Sequence, residues 1–353
     1  MKKVVVGMSG GVDSAVCAYL LKKEGYDVIG VTLRTWESND GNESRCCEIN
    51  DARDISDKIG IPFHTYNCIK EFEDIVAKPF VEDYINGRTP NPCIECNKCV
   101  KWDRMLHMAD VLEADFVATG HYANIVKLDN GRYTVKKALH AGKDQTYMLY
   151  RLTQEQLQRT IMPLGNLSKD EVRSIAKEAG IHVADKPDSQ EICFITEGTY
   201  ADYIEKNCEG RLKGEGNFVD LNGNVLGRHK GIIHYTIGQR KGLGIAFGQP
   251  MFVKEIRPES NEVVLCEDAD LYTTKVYCNT LNFLSIEGIK EGEKIPAKAK
   301  IRYRHDGENA VLSMIDKDTL LIEFEKPVRA ATSGQSAVFY DENGCVIGGG
   351  RII

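Results

Sequence analysis

The sequence has no long hydrophobic run. None of its apolar stretches approaches the roughly 20 residues that a membrane-spanning helix needs. The short apolar stretch in "MKKVVVGMSGG" leads into a glycine-rich turn rather than to a cleavage site. Internal repeats and low-complexity tracts are lacking as well. We therefore expect a cytoplasmic protein without membrane contact, and its 353 residues are enough for two or three globular domains.

The sequence lacks an excess of positive charge, because its 52 Asp and Glu residues outnumber its 45 Lys and Arg residues. The formal net charge of -7 gives no general affinity for nucleic acid. Two stretches nevertheless gather cations and tyrosines, "RHKGIIHYTIGQRKGLG" at residues 228–244 and "KAKIRYRH" at residues 298–305. Arg240, Lys241, Arg302 and Arg304 could therefore form a local phosphate-binding surface. Solvated faces of β-strands would have the same composition, so charge alone leaves both interpretations open.

A glycine loop at residues 7–14, "GMSGGVDS", follows the apolar run Val4-Val5-Val6. It lacks the Gly-Lys-Ser/Thr ending of loops that serve γ-phosphoryl transfer. A strand that runs through such a loop into a helix points free backbone N–H groups outward and can cradle an anion. Ser9 and Ser14 add hydroxyl groups, and Asp13 could hold a metal ion or cap the helix. A plain strand–turn–helix is the alternative interpretation.

The two parts of the chain differ in pattern. Residues 1–198 alternate apolar strands with helical stretches, which predicts a parallel, doubly wound α/β sheet with ligands at the carboxyl ends of its strands. Leu33 and Gly120 fall at such ends and should join the glycine loop in one site. Later residues form short alternating runs separated by glycines. We expect a small β-rich domain at residues 199–270 and a β-barrel at residues 271–353.

Twelve cysteines in a cytoplasmic chain favour thiol or metal chemistry over a disulfide framework. In "GRTPNPCIECNKCVKW", residues 87–102, Asn91 and Pro92 predict a helix start that places Cys93 in the first turn, where the pKa of a thiol falls. A structural zinc site would need four ligands, and no second Cys-x-x-Cys or histidine pair completes one. Buried, unreactive cysteines remain an alternative. Cys193, in "DKPDSQEICFI", taken alone would be a packing residue.

Several motifs in a fixed order resemble the bacterial tRNA-specific 2-thiouridylase family, which belongs to the N-type ATP pyrophosphatase superfamily. The resemblance runs nearly from end to end. The stretches that carry it are "SGGVDS" at Ser9, Cys46-Cys47, "GRTPNPCIECN" at Gly87, "GHYA" at Gly120, "KDQTYML" at Lys143, "SQEICF" at Ser189, "YTIGQRKGLG" at Tyr235 and "SGQSAVFY" at Ser333.

The resemblance implies an enzyme that adenylates the 2-oxo group of the wobble uridine with ATP and Mg²⁺ and then replaces the oxygen by sulfur. It implies tRNA substrates for Lys, Glu and Gln, and a cysteine desulfurase or sulfur-relay protein as donor. Cys96 and Cys193 would be the catalytic pair. The implied ATP-binding residues are Gly7, Met8, Ser9, Gly10, Gly11, Val12, Asp13, Ser14, Leu33 and Gly120. Asn91, Pro92 and Cys93 would face the target base. The implied tRNA contacts are His121, Lys143, Asp144, Gln145, Arg302, Tyr303 and Gln335.

Cys93 departs from the family pattern, because many members have aspartate at this position. The three thiols Cys93, Cys96 and Cys193 could therefore ligate an iron–sulfur cluster with one open iron. In the other route Cys193 carries a persulfide, Cys96 attacks it, and a transient Cys96–Cys193 disulfide remains. A more distant alternative is a small-molecule adenylating ligase of the same superfamily, which would not need the paired cysteines.

Overall fold

The computed structural model describes residues 1–37, 48–182, 192–245 and 248–353. Cys46, Cys47 and the first three residues of the "SQEICF" motif lie outside the described residues, whereas Cys193 lies inside them. Among the described segments, no helix is both long and apolar enough to cross a membrane.

The first part of the chain, which we call the first unit, forms a five-stranded parallel sheet with helices around it. Its strands have the order β3-β2-β1-β4-β7. The elements are β1 (Lys3–Gly7), α1 (Val12–Lys23), β2 (Asp27–Arg34), α2 (Ile49–Ile59), β3 (Phe63–Asn67), α3 (Ile69–Phe72), α4 (Lys78–Ile85), α5 (Pro92–Glu95), α6 (Asp103–Val111), β4 (Phe116–Ala118), β5 (Asn124–Lys127), β6 (Tyr133–Lys136), α7 (Gln154–Gln158), β7 (Thr160–Ile161) and α8 (Lys169–Glu178). Glu73–Ala77 and Cys96–Trp102 are π-helical, and Ala141–Lys143 and Thr146–Met148 are 3₁₀ turns.

The central strand β1 explains the position of the glycine loop. Val4, Val5 and Val6 are fully buried, as in a parallel strand that is covered on both faces. Strand β2 lies on one side of β1 and β4 on the other, so the chain leaves β1 at the point where the strand order reverses. Open α/β sheets bind ligands at the carboxyl side of such a point. The glycine loop lies there.

The second part of the chain joins one helix to a four-stranded sheet of order β10-β11-β8-β9. Its elements are α9 (Tyr200–Asn207), β8 (Gly216–Val219), β9 (Val225–His229), β10 (Phe252–Arg257) and β11 (Glu262–Cys266), with 3₁₀ turns at Ile232–His234 and Asp268–Leu271. Phe218 and Val253 from this sheet and Ile233 from the 3₁₀ turn share a buried cluster with Phe72 and Phe80 of the first unit. The two parts are therefore packed through a continuous apolar core.

The last six strands form a closed antiparallel barrel of order β12-β15-β14-β13-β16-β17. Its strands are β12 (Tyr272–Phe283), β13 (Ile295–Lys300), β14 (Glu308–Met314), β15 (Leu320–Arg329), β16 (Ser336–Tyr340) and β17 (Val346–Ile352). The parallel sheet, the small β-rich sheet and this barrel confirm the predicted fold class. The resemblance to the family had implied the same order of parts.

Strand β16 joins the barrel to the first unit. Every residue of β16 is buried because Ala337 and Phe339 face the barrel interior, whereas Val338 and Tyr340 pack into a core cluster of the first unit. The hydroxyl group of Tyr147 donates to the carbonyl oxygen of Ser336 at 2.8 Å. The barrel is therefore fixed against the sheet that carries the glycine loop.

Candidate active site

The glycine loop is closed on itself by the hydroxyl group of Ser14. This group donates to the carbonyl oxygen of Gly11 at 3.0 Å and accepts from the backbone nitrogen of Ser9 at 3.1 Å. The hydroxyl oxygens of Ser9 and Ser14 lie 3.2 Å apart. Gly11 is the residue before α1, and no side chain caps this helix. The loop thus leaves the positive end of α1 uncapped by protein side chains, as an anion site requires.

Gly10 and Gly120 are glycines for steric reasons. Gly10 has a φ of 78°, and a Cβ added there would lie 2.8 Å from Cβ of Glu48, just before α2. Gly120 follows β4, and a Cβ added there would lie 2.6 Å from the carbonyl carbon of Asp13. The sequence analysis expected Gly120 at the same sheet edge as the loop. The structure brings the two backbones into direct contact.

Asp13 does not cap α1, and among the described residues it belongs to no group of three or more His, Cys, Asp or Glu side chains that could hold a metal ion. Its carboxylate accepts two hydrogen bonds from the ammonium group of Lys169, at 2.7 and 2.8 Å, and one from the hydroxyl group of Tyr122 at 2.7 Å. The side chain of Lys169 is only 9% exposed. The capping role considered for Asp13 is therefore wrong, and the carboxylate instead anchors a buried lysine beneath the loop.

The other predicted ATP-binding residues lie on the same edge of the sheet. The backbone nitrogen of Met8 donates to the carbonyl oxygen of Val31 at 2.8 Å, and the hydroxyl group of Thr32 donates to the carbonyl oxygen of Met8 at 2.7 Å. Leu33 is the last but one residue of β2 and packs against the core clusters on both sides. Strand β2 thus supports the loop and places Leu33 beside it.

Asn91 and Pro92 start the cysteine helix as predicted. The side-chain oxygen of Asn91 accepts from the backbone nitrogen of Cys93 at 3.2 Å, and Pro92 occupies the first helical turn. The amide nitrogen of Asn91 also donates to the sulfur of Met148 at 3.5 Å. Cys93 is exposed and Cys96 is buried. Position in the helix therefore separates the two thiols, one facing solvent and one facing the core.

The helix that begins at Pro92 changes from α-helical to π-helical at Cys96. It is α-helical only to Glu95, and Cys96–Trp102 is π-helical. Cys96 and Cys99 therefore both lie in the π-helical segment. Burial, with a further effect of Glu95, raises the pKa of Cys99. At neutral pH Cys99 is a protonated thiol rather than a nucleophile.

Cys96 and Cys193 belong to one apolar cluster. Cys96 is a buried member of the cluster that includes Phe80 and Phe194, and the half-buried Cys193 packs against the same cluster. Neither cysteine is in a disulfide. In the described ranges, no three His, Cys, Asp or Glu side chains form a group that could hold a metal ion. The thiols of Cys93, Cys96 and Cys193 therefore do not form a cluster-binding set in this structure.

His121 lies behind the sheet edge beside an aromatic ring. Its Nδ1 lies 2.9 Å from the hydroxyl oxygen of Thr119, and its ring is 5.5 Å from the ring of Trp102. Burial, with a further effect of Lys101, lowers the pKa of His121 to about 3. Any contact of His121 with RNA would therefore come from a neutral imidazole.

Most of the predicted tRNA contacts lie where the first unit meets the barrel. The buried carboxylate of Asp144 accepts from the backbone nitrogen of Ala138 and from the hydroxyl group of Thr146, so its side chain has a structural role. Gln145 accepts from the backbone nitrogen of Tyr122 at 2.9 Å. The hydroxyl group of Tyr303 donates to the carbonyl oxygen of Asp144 at 3.3 Å.

Two further predicted tRNA contacts, Lys143 and Arg302, and Cys93 of the predicted target-base segment lie near this meeting line. Cys93 and Lys143 are both close enough to Tyr303 to affect its pKa, which burial raises. Arg302 donates to the carbonyl oxygen of Arg329 at 3.0 Å. The structure thus brings Lys143, Tyr303 and the exposed Cys93 together at one place on the surface.

A clamp loop of the barrel, residues 333–335, holds the segment before Asn91. The side-chain amide of Gln335 donates to the carbonyl oxygen of Thr89 at 2.8 Å, and the backbone nitrogen of Thr89 donates to the carbonyl oxygen of Ser333 at 2.9 Å. Gly334 has a φ of 91°, and a Cβ there would lie 3.0 Å from the backbone nitrogen of Thr89. The clamp loop therefore fits closely against residues 88–89.

Ion pairs to Asp83 strengthen the same contact. This largely buried carboxylate pairs with Arg88 at 2.9 Å and with Arg351 of β17 at 2.5 Å. Asp83 thus links the segment before Asn91 to the barrel.

The sequence analysis missed Asp83, Tyr122 and Lys169. A buried lysine in the first turn of an otherwise polar helix such as α8 carries no distinctive signal in the sequence.

Family models match almost the whole chain. A model described as "tRNA methyl transferase HUP domain" matches residues 2–197, and one described as "tRNA methyl transferase PRC-barrel domain" matches residues 201–267. A third, described as "Aminomethyltransferase beta-barrel domain", matches residues 273–352. A solved structure of a 4-thiouridine synthetase with RNA and bound ATP is 18% identical, with a TM-score of 0.35, over 60% of this chain and 51% of that chain. This likeness is too slight to support any inference about the site.

Curated relatives match from end to end. The tRNA-specific 2-thiouridylase MnmA of Lachnoclostridium phytofermentans is 51% identical over 360 residues, which cover 100% of this chain and 100% of the relative. The protein of the same name from Clostridioides difficile is 50% identical over 357 residues, covering 99% of this chain and 98% of the relative. The full-length similarity to these relatives, together with the matched domains, shows that the chain belongs to the tRNA-specific 2-thiouridylase family.

Proposed function

We propose that the protein is a tRNA 2-thiouridylase that adenylates the 2-oxo group of the wobble uridine and replaces its oxygen by sulfur. The observation that carries this proposal is the combination of an uncapped glycine loop at the reversal point of a parallel sheet with Cys96 and Cys193 in one apolar cluster. A loop alone would suit any adenylating enzyme. A sulfur transfer also needs a pair of thiols, and Cys96 and Cys193 share this cluster.

In the first step the glycine loop would hold the β- and γ-phosphates of ATP. The backbone N–H groups of the loop and the hydroxyl groups of Ser9 and Ser14 are the donors. The uridine oxygen attacks the α-phosphorus, the α–β bond breaks, and pyrophosphate leaves. Mg²⁺ would enter as MgATP, because the carboxylate of Asp13 is already bound by Lys169 and Tyr122. The uridine oxygen becomes an AMP ester and hence a good leaving group.

In the second step sulfur replaces this oxygen. A persulfide on Cys193 provides the terminal sulfur, and the thiolate of Cys96 attacks the inner sulfur of Cys193. The S–S bond breaks toward the terminal sulfur, which leaves as sulfide and attacks C2, so that AMP departs. In the variant of this step the persulfide attacks C2 first, and Cys96 then releases the thiolated base. Both orders end with a Cys96–Cys193 disulfide, which a thiol reductant must reduce before the next turnover.

Asn91, Pro92 and Cys93 would face the base, which leaves its stack in the single-stranded anticodon loop at a modest free-energy cost. His121, Lys143, Asp144, Gln145, Arg302, Tyr303 and Gln335 are retained as proposed tRNA contacts. Since Asp144 and Gln145 make internal hydrogen bonds, we assign their contribution to the backbone they position.

Further assignments belong to the same proposal. We infer that the substrates are the tRNAs for Lys, Glu and Gln, that a cysteine desulfurase or sulfur-relay protein loads Cys193, and that the reaction takes place in the cytoplasm, where thiols stay reduced. Boundaries near residues 198 and 270 divide the proposed catalytic, central and barrel domains. We propose the persulfide route, and the route through an iron–sulfur cluster held by Cys93, Cys96 and Cys193 is the alternative that the experiments below distinguish from it.

Variants of single cysteines test the proposal. Cys96→Ser and Cys193→Ser should abolish 2-thiouridine formation, whereas Cys99→Ser should stay active because the protonated Cys99 thiol takes no part. Mass spectrometry of nucleosides from the treated tRNA measures the product. Activity in either Cys96→Ser or Cys193→Ser would contradict the proposed relay. Methylated uridine formed with S-adenosylmethionine would instead support the activity that the family-model descriptions name.

Cys93→Asp separates the persulfide route from the cluster route. The persulfide route predicts that protein purified without oxygen contains no iron and that Cys93→Asp remains active. About four irons per chain, lost together with activity in Cys93→Ser, would overturn the persulfide route in favour of a cubane cluster.

A further inference from the structure

Three lysines meet where the barrel adjoins the first unit, and we call them the seam lysines: Lys137, Lys298 and Lys300. Lys298 and Lys300 are two residues apart on β13, so both side chains leave the same, outer face of the barrel. Lys137 directly follows β6 of the first unit, and its backbone nitrogen donates to the carbonyl oxygen of Gly344 at 3.0 Å. The seam lysines therefore come from two units but share one surface.

Aromatic rings hold the seam lysines in place. The ammonium group of Lys137 lies 4.2 Å from the ring centre of Tyr340, and Tyr340 is the residue opposite Lys298 in the pairing of β13 with β16. The ammonium group of Lys300 lies 6.0 Å from the ring centre of Tyr303. The same Tyr303 is close to Lys143 and Cys93. The seam lysines thus lie on the side of the barrel that carries Tyr303.

The seam lysines have one another as like-charged neighbours, and the carboxylates of Asp144 and Asp306 lie nearby. Within the described part of the chain, none of the three ammonium groups forms an ion pair with a carboxylate. Burial lowers the pKa of Lys137, which nearby Asp144 raises and Lys298 lowers. Burial also lowers the pKa of Lys300. Because the carboxylate of Asp144 is buried and accepts from Ala138 and Thr146, it compensates this charge only in part. Like charges held this close favour binding of an anion.

We propose that the seam lysines bind successive phosphates of the tRNA strand that leads into the anticodon loop. This inference rests on the proposed function and adds a surface to it. The sequence analysis included Lys298 and Lys300 in the cationic stretch at residues 298–305, but it gave no role to Lys137 and no reason to group the three lysines. Residues two apart on a strand are spaced by about 7 Å, which is close to the spacing of neighbouring phosphates in an extended strand. An acidic protein surface, such as that of a sulfur donor, would not need this regular spacing beside the base.

The test compares two triple variants of the full-length protein with the same change in net charge. One is Lys137→Gln, Lys298→Gln, Lys300→Gln. The matched control is Lys290→Gln, Lys317→Gln, Lys326→Gln, which removes three exposed barrel lysines away from the seam. Dissociation constants are measured for an unmodified tRNA transcript at several salt concentrations. ATP binding without tRNA is measured in parallel as a check that the site is intact.

We expect the seam variant to bind tRNA at least tenfold more weakly at low salt. Its slope of log affinity against log salt should fall by about 2, because each lost phosphate contact releases roughly 0.7 to 0.9 fewer counterions. The control variant should keep the wild-type slope. An unchanged slope in the seam variant would overturn the inference. Unchanged tRNA binding together with slower persulfide loading of Cys193 would also overturn it, because the surface would then serve the sulfur donor. Failure of the wild-type protein to bind or thiolate tRNA would refute the proposed function itself.

Discussion

The side-chain amide of Gln335 in the barrel donates a hydrogen bond to the carbonyl oxygen of Thr89 in the first unit, with nitrogen and oxygen 2.8 Å apart. Two residues after Thr89, Asn91 caps the short helix that presents Cys93. The barrel therefore holds the segment that we assign to the target base. This gives Gln335 a positioning role in addition to the tRNA contact that the resemblance implies.

Gln335→Leu should lower kcat about tenfold, because a lost hydrogen bond of this kind is worth about 1 to 1.5 kcal/mol and the base segment would lose its position. Steady-state kinetics of 2-thiouridine formation with varied tRNA check this. The exposed Gln249, changed to Leu, is the control. If Gln335 only contacts tRNA, KM should rise while kcat stays unchanged, and that result would contradict the positioning role.

Gly120→Ala should impair ATP binding and leave tRNA binding intact. The added Cβ would lie 2.6 Å from the carbonyl carbon of Asp13 and 2.8 Å from the backbone nitrogen of Ser14, so the glycine loop must move. Equilibrium binding of ATP and of tRNA, measured separately, checks the prediction. Gly142→Ala is the matched control because a Cβ there meets no atom within 4 Å. Wild-type ATP affinity in Gly120→Ala would show that this contact does not shape the loop.

The sequence predicted which residues lie at the carboxyl edge of the sheet, but it did not predict the contacts between the first unit and the barrel. The apolar run Val4–Val6 before a glycine loop, and Gly120 after a later strand, were enough to place both at one edge, since parallel strands align their carboxyl ends. The bond from Gln335 to Thr89 joins residues 246 positions apart. No local pattern encodes such a contact, because it depends on how the barrel docks.

Two local features also could not be predicted from the sequence. The π-helical turn at Cys96–Trp102 has no residue signature of its own. Lys169 follows Ser168 in a capping box, a pattern typical of an exposed helix start, yet its ammonium group is buried against Asp13. Only the fold reveals that the first turn of α8 faces the glycine loop.

His121 should remain neutral throughout the range in which an ordinary histidine titrates. Its pKa is about 3 in the folded chain, whereas an unfolded histidine titrates near 6.5. Between these values the unfolded chain binds the extra proton, so the contribution of His121 to stability falls as the pH falls from about 7 to 3. NMR titration, with His121→Gln to assign the signal, checks this. A midpoint near 6.5 for His121 would contradict its burial.

Alkylation should distinguish the cysteines of the short helix. At neutral pH, iodoacetamide should label Cys93 well before Cys99, because Cys93 is exposed and burial raises the pKa of Cys99. Peptide mass spectrometry of briefly treated protein measures the order. Raising the pH should increase labelling of Cys99, since a larger fraction becomes thiolate. Faster labelling of Cys99 than of Cys93 at neutral pH would be inconsistent with the arrangement described.

The central claim is that one α–β phosphate bond of ATP is broken for each sulfur placed on tRNA. The most direct measurement incubates the purified protein with unmodified tRNA, a persulfide donor, a thiol reductant and ATP labelled at the α-phosphate, and follows nucleotides and nucleosides together. We predict equal amounts of AMP, pyrophosphate and 2-thiouridine, with none of them formed when tRNA is left out. Formation of ADP and phosphate, or of AMP and pyrophosphate without thiolated uridine, would contradict the account.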